Sequence, residues 1–206
     1  MTGGALAHRE TDRPELMDDP HCDPVRLERT YRQFAVVNRL LSGWRQLYRS
    51  RIRPRLRASR PTTLLDIGFG AGDIPRALAG WARRDGLALQ ITAIDPDARA
   101  IEHVRDRPAA GVRFEQAGSA DLVARGERFD LVTSNHLLHH LDADSLGRLL
   151  ADSEALSRGL VLHNDLERLP LGYGVYAVAT LPLRSGSFLH DDGLLSIRRS
   201  HRRHEL

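Results

Sequence analysis

Asp66-Ile67-Gly68-Phe69-Gly70-Ala71-Gly72-Asp73 sets two carboxylates at the ends of a turn that has a glycine at every second position. The apolar run Thr63-Leu64-Leu65 comes directly before it, so a buried strand ends on a carboxylate and the chain turns toward a helix. Glycine there admits unusual backbone angles and lets a flat ligand approach without Cβ atoms in the way. A phosphate-cradling dinucleotide turn wants G-x-G-x-x-G, but here the third glycine comes one residue early and Asp73 stands in its place. That carboxylate would repel a pyrophosphate and attract a cation. The chemistry expected of the turn is the holding of a positively charged nucleoside. A second set of groups, His136, His139, His140 and His163, can take up protons near neutral pH.

Such groups need a frame, and the sequence alternates strand and helix patterns from Thr62 onward. Thr63 to Ile67 reads as a strand, followed by a helix over roughly 73–84. Leu89 to Ile94 is a second strand ending at Asp95, with Pro96-Asp97 opening a helix. Strands over 112–117 and 129–134, a helix over about 143–157 and a strand over 160–163 complete the series. This predicts an α/β, Rossmann-like, doubly wound and mostly parallel sheet with helices on both faces. Ahead of it, Asp23-Pro24 reads as a helix cap and first turn. Leu27, Tyr31, Phe34, Asn38, Leu41, Trp44, Tyr48 and Ile52 then recur at steps of three and four. Ser42-Gly43 is expected to kink this helix and Pro54 to limit it. Three segments are predicted: a flexible tail over 1–22, a helical lid over 23–58, and the main domain over 59–206. The rings on the N-terminal helix suit either a lid over an apolar substrate or packing against the sheet.

Composition narrows the function classes. The chain has 206 residues, 41% of them hydrophobic, which suffices for one full core, and nothing in it points to two independent domains. Cys22 is the single cysteine; no internal disulfide can form, which fits a reducing, cytoplasmic setting. No secretory signal pattern opens the chain, and Pro170 and Pro182 interrupt its longest apolar stretch, so no membrane span is expected. All thirty basic residues are arginine, which excludes a lysine Schiff base or a Tyr-x-x-x-Lys oxidoreductase pair. Six arginines fall between Arg49 and Arg60 and four more between Arg198 and Arg203. They read as a contact for an anionic partner or as a solvated connector, and the absence of interleaved aromatics favours the second.

Leu64 to Asp73, Ile91 to Asp95 and Phe129 to Leu141 resemble, in order, the motifs of class I S-adenosylmethionine-dependent methyltransferases. The blocks 165–168 and 190–199 are similar to a small bacterial subgroup associated with polyketide or quinone-like aromatic substrates. The resemblance implies S-adenosyl-L-methionine as cofactor, with Asp66, Gly68, Gly70, Gly72 and Asp73 beneath its amino-acid part. Asp95 would accept hydrogen bonds from the ribose hydroxyls, with a helix cap as the alternative. Asp121 would read the adenine amino group, or simply cap a short helix. Asn135 and His136 would lie beside the sulfonium. Methyl transfer needs chiefly proximity and orientation, and a hydroxyl acceptor must also lose a proton. His139 is the first candidate for that base and His163 the second, against a packing or capping role for any one of them. No metal is expected, since adjacent histidines rarely aim both rings at one ion and no carboxylate in the sequence visibly completes a set.

The expected partner is a small-molecule methyl acceptor, with a second copy of the chain as an open possibility. Ser134-Asn135-His136-Leu137 lacks the proline and aromatic that base-modifying methyltransferases carry there, which argues against nucleic acid. The resemblance also implies two further C-terminal strands that the sequence does not contain, leaving the fifth strand as an edge. A non-catalytic cofactor-binding protein and an RNA methyltransferase remain as alternative readings.

Overall fold

Five strands, β1 (Thr62–Ile67), β2 (Leu89–Asp95), β3 (Val112–Gln116), β4 (Phe129–Asn135) and β5 (Ser157–Asn164), make one sheet in the order β3-β2-β1-β4-β5. The computed structural model describes residues 6–206. All four strand pairings are parallel. Parallel strands need crossover connections, and helices supply them: α3 (Asp73–Arg84), α4 (Ala98–Arg105), α5 (Ser119–Ala124) and α6 (Ala143–Leu156). The chain winds from β1 outward to β3, then returns to β4 beside β1 and winds the other way. With right-handed crossovers this double winding covers both faces, as the sequence pattern predicts. The order reverses between β1 and β4, and open sheets bind ligands at the carboxyl ends of such neighbouring strands.

The core explains why these segments become strands and helices. Leu64, Leu65, Ala93, Ile94 and Val132 in the central strands are all 0% exposed. In α3, Ile74, Leu78 and Ala82 recur at helical spacing and bury against Leu64, Ile91 and Ala93. Before the sheet, α1 (Pro24–Leu41) begins where Asp23 Oδ1 accepts from Val25 N at 2.8 Å. Gly43 then takes the left-handed conformation, with φ of 70°, and α2 (Trp44–Leu47) restarts the helix. A π-helical turn over Tyr48–Ile52 and a tighter turn over Arg53–Arg55 follow. Trp44, Tyr48 and Ile52 are 1%, 3% and 0% exposed and belong to the core. Those two rings pack in the core. The side chain of Leu41, expected on the same stripe, lies outside the described residues.

The contacts divide the chain into two units where the composition suggested one domain. One unit holds Ala35–Asn135 and Asp144–Asn164, and with them the sheet. The other gathers the residues up to Phe34, His136–Ala143 and Asp165–Leu206, including α7 (Pro170–Thr180) and α8 (Leu189–Arg199). Residues 6–22 are not a loose tail: Leu6 and Glu15 are 1% and 3% exposed. Arg168 Nη1 donates to the carbonyls of Leu6 and Ala7, at 2.8 and 3.1 Å, and the Asp192 carboxylate accepts from Leu16 N and Met17 N. Order here comes from polar side chains meeting backbone groups distant in sequence, and hydrophobic patterning carries no trace of that. The expectation for residues 1–5 lies outside the described residues. Among the described residues no helix is long and apolar enough to cross a membrane.

Candidate functional site

β1 ends at Ile67, and Gly68, Gly70 and Gly72 all follow with positive φ, at 73°, 51° and 72°. The turn is tied to β2, because Ile94 O accepts from Gly68 N at 2.8 Å and Asp95 Oδ2 accepts from Gly70 N at 2.9 Å. Two of the glycines are needed for different reasons. At Gly72 a Cβ would stand 2.9 Å from Phe114 Cε1, so the residue is fixed by packing as well as by φ. At Gly70 a Cβ would meet nothing within 4 Å. Its φ demands glycine, and the space above it is open to a ligand.

Three carboxylates surround this turn, and burial raises the pKa of all three. Asp66, 2% exposed, is pushed up to about 7 by desolvation; the Thr133 hydroxyl, donating at 2.9 Å, opposes the shift, and the charges of Asp73 and Asp95 add to it. Asp73 is raised by burial against a hydrogen bond from Asn38 Nδ2 at 3.0 Å. Asp95 is raised by burial although its two oxygens accept from Gly70 N and Asp97 N. None of the three forms an ion pair among the described residues. A desolvated acidic recess of this kind favours a cation.

The end of α1 and the start of α2 complete this part of the unit. Asn38 is buried, its amide nitrogen on Asp73 and its Oδ1 without a hydrogen-bond partner. Asn135 Oδ1 accepts from Trp44 Nε1 at 2.7 Å and from Asn164 Nδ2 at 3.0 Å, and Asn164 Nδ2 also reaches Ser42 O at 3.1 Å. One amide network thus holds the 38–44 segment over the carboxyl ends of β4 and β5. Sequence reasoning missed Asn38 as a site residue; the available signal was a polar side chain on an otherwise apolar helical stripe. Asp121 is exposed and closes the α5 cap by accepting from Gly118 N at 2.8 Å. His163, on β5, is half-buried and hydrogen-bonded to Ser134 Oγ through Nδ1 at 2.7 Å. The parallel register brings His163, Asn135 and the glycine turn to the same edge of the sheet.

In the other unit His136 is the one residue other than glycine, among those described, with a positive φ, at 52°. Non-glycine residues are strained there, a condition that clusters at functional sites. Burial lowers its pKa to about 4, so the ring is neutral at physiological pH. His139 is different. It is 1% exposed, with Nδ1 2.6 Å from Asp165 Oδ1 and Nε2 3.6 Å from Glu15 Oε1. Burial alone would lower its pKa, but the two carboxylates outweigh burial and raise it to about 9. Glu15 and His140 lie close enough to make a ligand set with His139, so a carboxylate does join the adjacent histidines, contrary to the sequence reading. The two rings are tilted, with centroids 4.3 Å apart and 34° between planes.

Residues 64–159 match the model of a family described as a methyltransferase domain. A ubiquinone biosynthesis O-methyltransferase of Cereibacter sphaeroides is 32% identical over 125 residues, covering 56% of this chain and 45% of that protein. The chain thus spans under half the length of this curated relative. The plantazolicin methyltransferase BpumL in complex with SAH superposes with a TM-score of 0.56 at 17% identity, over 88% of this chain and 71% of that one. The same enzyme with a triazolic desmethylPZN analog and SAH gives 0.53 at 15% identity, over 92% and 63%. At such identities the likeness is one of fold. Residues 64–159 are thus similar to the methyltransferase-domain family, and the parallel sheet with its glycine turn at the switch point has a Rossmann-like methyltransferase fold.

Proposed function

We propose that the chain is an S-adenosylmethionine-dependent methyltransferase acting on a hydroxyl of a small aromatic, polyketide-like or quinone-like metabolite. The observation that carries this reading is the acidic glycine turn: Asp66, Asp73 and Asp95 are desolvated, raised in pKa and without an ion-pair partner. The cofactor's sulfonium and ammonium groups are the cations such a recess would hold, and the sulfonium supplies an activated methyl group. Asp95 has lone pairs left for ribose hydroxyls, and the unpartnered Oδ1 of Asn38 can accept from an ammonium. In this reading the bound cofactor would supply the methyl group to the acceptor hydroxyl, and His163 would take the proton that the hydroxyl gives up. His139 is a positioning residue instead. Both of its nitrogens face carboxylates, and a group with a pKa of about 9 is already protonated at neutral pH. Asp121 serves the adenine end or only the α5 cap.

Calorimetric titration across pH 5.5 to 8.5 tests the reading. A cationic ligand lowers the Asp66 pKa from about 7, so binding releases a proton at and below that pH. S-adenosylmethionine affinity is expected to fall by up to about tenfold per pH unit below 7. S-adenosylhomocysteine, which lacks the sulfonium, should show a weaker dependence. Thr133→Val removes the hydroxyl that stabilises the carboxylate and should move the profile up by about one pH unit. Failure of both nucleosides to bind at millimolar concentration would sink the proposal.

A further inference from the structure

The sheet-bearing unit carries a basic recess that methyl transfer does not use. Arg45, Arg49, Arg53 and Arg84, all exposed, line a hollow of about 470 Å³ together with Tyr48 and Trp81. The two rings pair with centroids 5.4 Å apart at 50°. Asp85 is the carboxylate of the hollow, and its Oδ2 is taken by Arg53 Nε at 2.6 Å and the Tyr48 hydroxyl at 3.0 Å. The side chains of Arg45, Arg49 and Arg84 form no hydrogen bond or ion pair among the described residues. Arg45 and Arg49 stand four residues apart, where like charges repel along a helix, and a π-helical turn begins between them at Tyr48. Trp81 and Arg84 lie at the end of α3 remote from Asp73. A helix of 12 residues puts that end about 18 Å from the glycine turn.

We propose that this recess binds a nucleoside phosphate, a ligand class separate from the methyl donor and acceptor. Four guanidiniums against one carboxylate leave an excess of three positive charges, which a diphosphate would neutralise. Planar guanidinium forks match phosphate oxygens in pairs. Trp81, partly exposed where Tyr48 is buried, offers a face on which a base can stack. The volume falls within the range of small-ligand sites. A free nucleotide fits better than a strand, because strand binding uses successive stacking rings along a groove and only one ring here is accessible.

Trp81 and the buried Trp44 are the two tryptophans of the chain, so intrinsic fluorescence with calorimetry reads the site. Adenosine diphosphate, pyrophosphate, adenosine and an eight-nucleotide RNA are titrated with and without saturating S-adenosylhomocysteine. The expected result is adenosine diphosphate binding, unchanged by S-adenosylhomocysteine and about fivefold or more tighter than pyrophosphate. Arg45→Glu/Arg49→Glu should weaken it by tenfold or more, and Trp81→Phe should narrow the gap between the two ligands. S-adenosylhomocysteine affinity of both variants, unchanged, serves as the check on folding. Equal binding of pyrophosphate and adenosine diphosphate, binding of RNA alone, competition by S-adenosylhomocysteine, or insensitivity to the double substitution would each overturn the proposal.

Discussion

Replacing Asp95 with alanine is expected to weaken S-adenosylhomocysteine binding about 100-fold while the sheet still forms. Asp95 is buried, and its oxygens accept from Gly70 N and Asp97 N, each at 2.9 Å. Hydrogen bonds to a charged group contribute about 1.5–3 kcal/mol each. The one to Gly70 fixes a glycine whose φ is 51° and whose missing Cβ would touch nothing within 4 Å. Without the carboxylate the turn keeps its backbone tie from Gly68 N to Ile94 O but loses the hold on Gly70, and the proposed ribose contacts go with it. A combined loss of about 3 kcal/mol corresponds to the 100-fold change. Asp95→Asn keeps one acceptor oxygen but turns an amide donor toward a backbone donor, so a loss of about tenfold is expected. Because the contact is made to the bound cofactor throughout, KM should rise with kcat largely retained. If the alanine variant binds within threefold of the parent, the glycine turn is not the cofactor site.

What the sequence made legible follows from the range of the forces involved. The strands and the glycine turn are set by local pattern: an apolar run ending on Asp66, then glycines whose φ no other residue adopts cheaply. Helix α3 is likewise local, with acid at its first residue and Arg83 and Arg84 at its last turn complementing the backbone dipole. The second unit was not legible because distant polar pairs assemble it. Glu15 reaches His139, Arg168 reaches Leu6 and Ala7, and Asp192 holds Leu16 and Met17. No periodicity marks such partners, and a polar N-terminal stretch looks the same whether pinned or loose. Asn38 hid for a related reason: a helical stripe shows which face is buried, but not which buried atom lacks a partner.

Removing His139 is expected to cost stability before it costs chemistry. Its ring lies between Asp165 and Glu15 with all three groups at most 9% exposed, and deleting one member of a buried ion pair costs about 3–5 kcal/mol because the remaining charge stays buried. His139→Ala should therefore lower the melting temperature by about 10 °C at pH 7. The pH dependence gives an independent signature. The folded pKa of about 9 exceeds the unfolded value of about 6.5, so this histidine's contribution is fully present below pH 6.5 and is lost as pH rises through 9. The difference is worth about 3 kcal/mol. Glu15 and Asp165 are shifted the opposite way, held below their ordinary values by His139 against the cost of burial, so their contribution is lost only in acid, below the usual carboxylate range. Melting curves of the parent chain from pH 6 to 10 should show the alkaline loss, and curves of His139→Ala should not. Glu15→Gln combined with His139→Ala should be less damaging than the sum of the single changes, since each removes the other's unpaired charge. A catalytic base at this position predicts the reverse pattern: an unchanged melting temperature, a large fall in kcat, and a parental rate that titrates with the group's own pKa.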